Sequence, residues 1–139
     1  MASQDYNEGF RVPFRQFILD DLSINDLIDN RFYGAQLYTL DLTSTSFPIA
    51  VFYPEVGNNF NSSIIKKFNV VIRCYSENSF DEAYSVHKKI SERLGGESGA
   101  ITVPETKIIV RPLTTPSETY EENPRLFGIG SRFLVIWVS

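Results

Sequence analysis

The sequence predicts an α+β fold in which an antiparallel or mixed β-sheet of about four strands packs with an N-terminal helix and one long amphipathic helix, residues 80–94. Two observations support this prediction. Residues 68–96 contain a strand pattern, a capping motif and a helical pattern in direct succession. The order along the chain, which is helix, strands, helix, strands without an internal repeat, favours a layered fold with an antiparallel sheet.

The N-terminal segment, residues 1–10, is polar, and we expect it to be flexible. Residues 11–139 then form a single α+β domain. Pro13 suits the first turn of a helix, because the N–H that proline lacks would have no intrahelical partner there. Ser23 has the position of a cap for a short second helix. Apolar residues fall on one side of the first helix: Phe14, Phe17, Ile18 and Leu22.

A β-hairpin is predicted in the middle of the chain. Residues 47–53 alternate with a period of two, between Pro48 near the start and Pro54 at the close. A second alternating run covers residues 64–75. Turn residues separate the two runs, so the strands should pair with a projecting loop between them. This loop contains Asn59, Phe60, Asn61 and Ser62.

The long helix has clear signals at both ends. Ser79 and Glu82 are spaced as a capping box, which predicts a helix that begins at about Phe80. Gly95 and Gly96 predict its end, because glycine readily adopts the left-handed conformation that closes helices. The apolar stripe expected to lie on the sheet consists of Phe80, Ala83, Tyr84, His87, Ile90 and Leu94.

Two strands and a loop are predicted after the long helix. Residues 108–111 alternate and stop at Pro112. Residues 114–125 contain two prolines and three glutamates without any period, so we expect a solvated, mobile loop. The final strand, residues 126–138, is apolar on both faces in its second half, which is typical of a central strand.

Composition limits the possible functions. The net charge of −4 and the isoelectric point near 5.0 disfavour nucleic-acid binding, which needs a concentrated basic surface. The chain contains no apolar run long enough to span a membrane, and its start does not resemble a signal peptide, so we expect a soluble protein made inside the cell. Cys74 is the single cysteine, and its place on the inward face of a strand predicts a core residue.

No catalytic, cofactor-binding or metal-binding site is predicted. His87 is the single histidine, and it lies within the apolar helix stripe, which favours a hydrogen-bonded core or interface residue. The acidic cluster over residues 20–29 matches no calcium loop. Gly128 and Gly130 lie inside a strand, whereas phosphate-binding glycines connect a strand to the start of a helix.

Aromatic residues are unusually numerous. Eleven Phe, seven Tyr and one Trp exceed the need of a small two-layer core, and some of them fall in predicted loops. These rings are either a few partly exposed side chains, which is normal, or residues of subunit interfaces, where Tyr and Phe are enriched. The rings in predicted loops include Tyr6, Phe10, Phe60 and Tyr120.

The order of these motifs over residues 14–138 resembles the tail terminator, or tail completion, proteins of long-tailed bacteriophages. None of the motifs is a catalytic signature, and the resemblance rests on their order and spacing. After a helical start, the motifs that carry it are Asp29-Asn-Arg-Phe-Tyr33, Phe47-Pro-Ile-Ala-Val-Phe-Tyr53, Val71-Ile-Arg-Cys-Tyr-Ser76, the helix from Asp81-Glu-Ala83 to Leu94, and Arg132-Phe-Leu-Val-Ile-Trp137.

The resemblance implies a structural protein without enzymatic activity or cofactors. Such a protein forms a homo-hexameric ring at the head–tail interface of the virion, ends polymerisation of the tail tube and provides the surface for head-to-tail joining. It would be made in the cytoplasm of the host bacterium. Its partners would be further copies of itself, the tail tube protein and a head–tail connector or stopper protein, with DNA only passing through the lumen and no membrane involved.

Two alternatives remain open on the sequence alone. The chain is otherwise a head–tail connector or tail tube subunit, or a small α+β hydrolase or ligand-binding domain. If the protein is an assembly subunit, residues 59–63 and 114–125 should contact neighbouring subunits or the tail tube. Both segments are irregular in sequence, and each carries an aromatic residue and needs a partner to become ordered. The predicted interface residues are Asn59, Phe60, Asn61, Glu118, Tyr120, Glu121 and Glu122.

Overall fold

Two long strands form the centre of the molecule. In the computed structural model, which describes residues 6–42, 44–55, 65–96, 99–122 and 125–138, strand β3 (Ile65–Ser76) pairs antiparallel with strand β7 (Arg125–Val138). Their register runs from Ile65 opposite Val138 to Ser76 opposite Phe127. β7 is also paired along its other edge, so the prediction of a central last strand is confirmed.

The described residues contain seven strands in one sheet, with the order β1-β2-β3-β7-β5-β4 and with β6 also paired to β7. β1 and β2 are parallel, and every other pair is antiparallel. The antiparallel pairing of β2 with β3 confirms the predicted hairpin. The remaining strands are β1 (Phe32–Tyr33), β2 (Ile49–Pro54), β4 (Ile101–Val103), β5 (Ile108–Pro112) and β6 (Ser117–Glu122).

The predicted fold class, with about four strands and one long amphipathic helix, is therefore wrong. The protein is mostly β: its described part has seven strands in a curled, half-barrel sheet and three α-helices. Two of the extra strands had no recognisable sequence pattern, because β4 has only 3 residues and all 6 residues of β6 are exposed. The helices are α1 (Val12–Leu19), α2 (Leu22–Ile28) and α3 (Phe80–Arg93).

β5 and β6 follow one another along the same edge of β7. Pro112 lies opposite Phe133, and Ser117 lies opposite Gly130, so the segment between β5 and β6 is two residues longer than the part of β7 that it faces. This segment forms a bulge that is fixed to Arg132, whose backbone N–H donates to Thr114 Oγ1 at 2.9 Å. Bulges of this kind bend a strand and increase its twist.

The main core lies between one sheet face and the three helices, where α3 crosses β3 and β7. Its N-terminal part is a stack of phenylalanines, with ring centroids 5.0 Å apart for Phe10 and Phe14 and 5.1 Å apart for Phe14 and Phe52.

Phe10 is fully buried within a π-helical turn, Asn7–Arg11. Ordered structure thus begins before Pro13, and part of the aromatic surplus belongs to the core. Residues 1–5 lie outside the described part of the chain, so the division at residue 10 stays a prediction.

The helix predictions hold with local differences. Ser79 caps α3 as expected, but Tyr84 is 40 % exposed and Val86 takes its place in the buried stripe. α2 is capped by Asp21, which accepts from the backbone N–H of Ser23 at 2.9 Å, so Ser23 is not the cap. Leu22 is 74 % exposed and does not join the inner side of the first helix.

A second, smaller core lies on the opposite face of the sheet. Residues 34–42, which include a short 3-10 turn (Leu37–Thr39), and residues 44–47 fold over the β2 side of this face. There Leu37 contacts a cluster with Ile49, Val51, Tyr75 and Leu126. The covering stops near β2, so the same face of β3, β5 and β7 carries half-buried and exposed side chains over much of its length.

Candidate functional site

The hairpin formed by β6 and β7 carries the predicted interface residues that the structure describes. Glu118, Tyr120, Glu121 and Glu122 all lie on β6, and all are exposed. The expected mobile loop is therefore a strand, which the backbone of β7 holds in place through the pairing of Ser117 with Gly130 and of the residues that follow. Asn59, Phe60 and Asn61 lie outside the described residues.

Phe127 anchors this hairpin to the body of the protein. Its ring contacts Phe80, the first residue of α3, edge to face at 5.0 Å between centroids, and Tyr120 at 5.1 Å. The guanidinium of Arg125 lies 5.0 Å from the Phe127 ring centre. These ring and cation–π contacts position β6 without burying it.

Gly128 and Gly130 make room for two side chains that lie across β7. A Cβ atom at Gly130 would be 2.6 Å from Arg73 Cγ, and one at Gly128 would be 3.0 Å from Tyr75 Cε1. Arg73 and Tyr75 of β3 can therefore extend towards β6, where Arg73 Nη1 donates to Thr119 Oγ1 at 3.4 Å. The paired glycines serve close side-chain packing across the strand.

The hairpin end of the molecule is acidic. Glu118, Glu121 and Glu122 of β6 are joined there by Glu77, which follows β3, and by Asp81 in the first turn of α3. All five carboxylates belong to exposed residues. Arg125 is the basic residue that the register places directly opposite Glu122. This end therefore has a surplus of negative charge, with Tyr120 as an exposed aromatic residue among the acids.

The uncovered part of the second sheet face, which we call the open face, has the opposite charge. Its centre is apolar and consists of Val71 on β3, Ile109 on β5, and Leu134 and Ile136 on β7. Ile109 is 38 % exposed, and the other three are half-buried. Around this centre lie three basic residues, which are Lys67, Arg111 and Arg132.

One carboxylate partly neutralises the open face. Glu55 Oε1 lies 2.7 Å from Arg132 Nε, an ion pair at the side of the face where β2 ends. Next to it, a depression of about 210 Å³ is lined by Tyr53, Arg73 and Ser117, among others. Pockets that bind drug-sized ligands typically have volumes of about 300–1,000 Å³, so this depression suits a side chain better than a substrate.

His87 is placed in the core and not at an exposed catalytic position. Its Nε2 atom is 2.8 Å from Ser131 Oγ, and the two residues are 3 % and 6 % exposed. Burial lowers the pKa of His87 from 6.5 to about 4, so its ring is neutral near pH 7. Within the described residues, no carboxylate is hydrogen-bonded to the second ring nitrogen, which is the arrangement that orients the base of a catalytic triad.

A broader groove lies beside this histidine, between α3 and the bulge that joins β5 to β6. It has a volume of about 730 Å³, and its walls include Tyr84, Lys88, Pro112 and Pro116. In the described part of the chain, no group of three or more His, Cys, Asp or Glu residues is placed to hold a metal ion. The same residues include no helix long and apolar enough to cross a membrane.

A chain of known structure has this fold over its whole length. It is a component of a structure titled the virion of a native gene transfer agent particle, and the superposition has a TM-score of 0.71, covering 99 % of this chain and 100 % of that one. No known protein-family profile and no curated protein sequence matches this chain. Since the two sequences are only 12 % identical, the likeness shows that the two chains share a fold.

Proposed function

We propose that this protein is a structural component of a phage-like virion, and that it acts as a tail terminator. In this role a homo-hexameric ring caps the head-proximal end of the tail tube, ends its polymerisation and presents the surface that joins the head. The single observation that supports a virion role is the full-length likeness to a chain of the gene transfer agent virion. The order of sequence motifs over residues 14–138 adds the tail terminator role.

The architecture is compatible with repeated assembly. The long β3–β7 pair forms a stiff centre, and the chain presents two exposed surfaces of unlike charge, the acidic hairpin end and the basic open face. Surfaces that differ in this way favour head-to-tail contacts between identical subunits, and such contacts generate closed rings when the rotation between subunits closes.

The proposed partners are other copies of the chain, a tail tube protein and a head–tail connector or stopper protein, at the head–tail interface of the virion. DNA would only pass through the lumen, and no cofactor would take part. The predicted interface residues on β6 belong to this proposal, together with Asn59, Phe60 and Asn61.

The test is to polymerise a tail tube protein from the same phage-like particle with and without the purified protein. A terminator should shorten the tubes in proportion to its concentration, and negative-stain images should show six-fold rings at one tube end only. Addition after polymerisation has finished is the control, since it should cap the tubes without changing their length.

Other outcomes identify the alternatives. If the protein itself extends into tubes, it is a tube subunit. If it binds heads but leaves tube length unchanged, it is a connector. Tubes of unchanged length without any bound ring, together with no binding to heads, would contradict a role at the head–tail interface.

A further inference from the structure

We propose that the open face of one copy binds the acidic β6–β7 hairpin of a second copy, so that the subunits associate head to tail. This inference rests on the proposed ring and names the surfaces that would build it. The occupant is a second copy of this chain because the chain itself carries the complementary charge. Its net charge is −4, yet the rim of the open face has three basic residues, Lys67, Arg111 and Arg132, with Glu55 as the paired acid.

Within one molecule, the tip of the hairpin and the apolar centre of the open face lie at different ends of β7. The hairpin end lies at the start of β7, near Phe127, and the open face lies towards its end, near Ile136. At about 3.3 Å per residue, these two positions are separated by roughly 30 Å along a continuous strand. Arg132 is already paired with Glu55, and Arg125 lies opposite Glu122, while the remaining charges of the two surfaces are open to solvent or to another molecule. A contact between unlike surfaces of identical chains is heterologous.

The open face has the composition of a protein interface. An apolar centre of Val71, Ile109, Leu134 and Ile136 is surrounded by charged residues, which matches the apolar core and polar rim of protein–protein contacts. A surface that binds DNA gains its affinity from phosphate contacts and has no use for an apolar centre. On the hairpin, Tyr120 is 46 % exposed on the same side of β6 as Glu118 and Glu122, so it can supply the apolar contact while these acids face the rim.

The acidic strand also explains why the association would be specific. β6 is an edge strand within the described sheet, and all of its side chains are exposed. Edge strands without charges tend to pair with any other edge, and charged residues suppress such pairing. The glutamates of β6 oppose unspecific aggregation, while opposite charges on the open face of a neighbour select one partner surface.

Charge reversal tests this inference. The face variant carries K67E and R111E, the hairpin variant carries E118K and E121K, and the combined variant carries all four. The control is K88E with K89E, which makes the same charge change as the face variant at two exposed positions on α3. Self-association is measured by sedimentation velocity and native mass spectrometry at about 50 and 500 mM salt, and circular dichroism with thermal melts checks the fold.

We expect the face and hairpin variants each to weaken self-association by at least about tenfold, because like charges then meet across the contact. The combined variant should recover most of the wild-type association, and the control should be unchanged. The inference is overturned if either single-surface variant associates like the wild type, if the combined variant does not recover, or if the control is as defective as the face variant.

Two further outcomes separate this inference from the proposed function. Wild-type protein that stays monomeric at about 1 mM overturns the inference, since both surfaces are present in the purified chain, whereas the terminator role still depends on the tube-length assay. Micromolar binding of duplex DNA that the face variant loses would assign the open face to nucleic acid and also overturn it. If tubes are shortened and ringed normally by the face variant, the terminator role stands and the inference fails.

Discussion

The buried contact between His87 and Ser131 predicts that mild acid destabilises this protein. Burial lowers the pKa of His87 from 6.5 to about 4, because the charged ring would lose its hydration between α3 and β7. The folded protein therefore keeps the ring neutral, while the unfolded chain binds a proton near pH 6.5. The resulting stability is fully present above pH 6.5 and is lost as the pH falls towards about 4.

The size of the effect follows from the two pKa values. Each unit of difference corresponds to about 1.36 kcal/mol, so the shift from 6.5 to about 4 corresponds to roughly 3 kcal/mol. At pH 5.5, which is one unit below the pKa of the unfolded chain, His87 is mostly protonated in the unfolded chain and neutral in the folded protein. The free energy of unfolding is therefore about 1 kcal/mol lower at pH 5.5 than at pH 7. Most carboxylates have pKa values near 4, so they contribute little in this range.

The assay is urea-induced unfolding at pH 7.0 and 5.5, for the wild type and for His87→Gln. Glutamine keeps a polar group near Ser131 but does not titrate, and His87 is the single histidine of the chain, so the difference between the two proteins isolates its protonation. We expect the wild type to lose about 1 kcal/mol more than the variant. Equal losses in both proteins would refute this reasoning, as would an NMR titration that gives the folded His87 ring a pKa near 6.5.

Three other predictions concern packing. Leu94 is fully buried, so Leu94→Ala should lower the free energy of unfolding by about 2–5 kcal/mol in urea titrations, and a loss below about 0.5 kcal/mol would contradict its place in the core. Gly130→Ala should cost about 1–3 kcal/mol because its methyl group would meet Arg73, and combining it with Arg73→Ala should recover part of this loss; additive losses would argue against the contact. Cys74 is fully buried, and burial raises the pKa of its thiol, so a thiol reagent should label it only after unfolding.

The long helix could be predicted from sequence because its signals are local. Ser79 Oγ accepts from the backbone N–H of Glu82 at 3.1 Å, as the spacing indicates. The other half of the expected capping box is not formed, since the Glu82 carboxylate accepts from Ser76 Oγ at 2.6 Å. Residue spacing thus identified Ser79 as the cap of α3. The hydrogen-bond partner of Glu82 could not be predicted, because it depends on the position of Ser76 at the end of β3.

β6 could not be predicted because burial leaves no pattern in it. Sequence periodicity identifies a strand through one buried face, and all residues of Ser117–Glu122 are exposed. Its glutamates and flanking prolines are typical of a solvated loop, and the strand is formed by backbone pairing with β7. One sequence signal did indicate a neighbour of β7. Gly128 and Gly130 lie inside a strand, and glycines at such positions indicate that another group approaches the backbone closely.

The separation of an acidic hairpin end from a basic open face could not be predicted from the sequence either, because it depends on strand pairing. Lys67, Arg111 and Arg132 are far apart along the chain, and strand pairing brings them to one sheet face. For example, Leu134 of β7 lies between Asn69 of β3 and Arg111 of β5. A net charge of −4 then describes neither surface, because five exposed acids lie at the hairpin end and Lys67, Arg111 and Arg132 surround the open face. Net charge alone therefore does not predict how strongly this protein binds DNA. For this reason the charge-reversal variants are also titrated with duplex DNA.

The fold itself accounts for an uncovered sheet face. Three helices cover one face of the described sheet, and residues 34–42 and 44–47 reach only as far as the β2 side of the other. Extending that cover over β5 would need a longer segment, whereas β7 is apolar on both faces from Phe133 to Val138. A strand that is apolar on both faces is typical of a sheet covered on both sides. This part of β7 is uncovered on one side within the described chain, which is why we propose a neighbouring subunit as its cover.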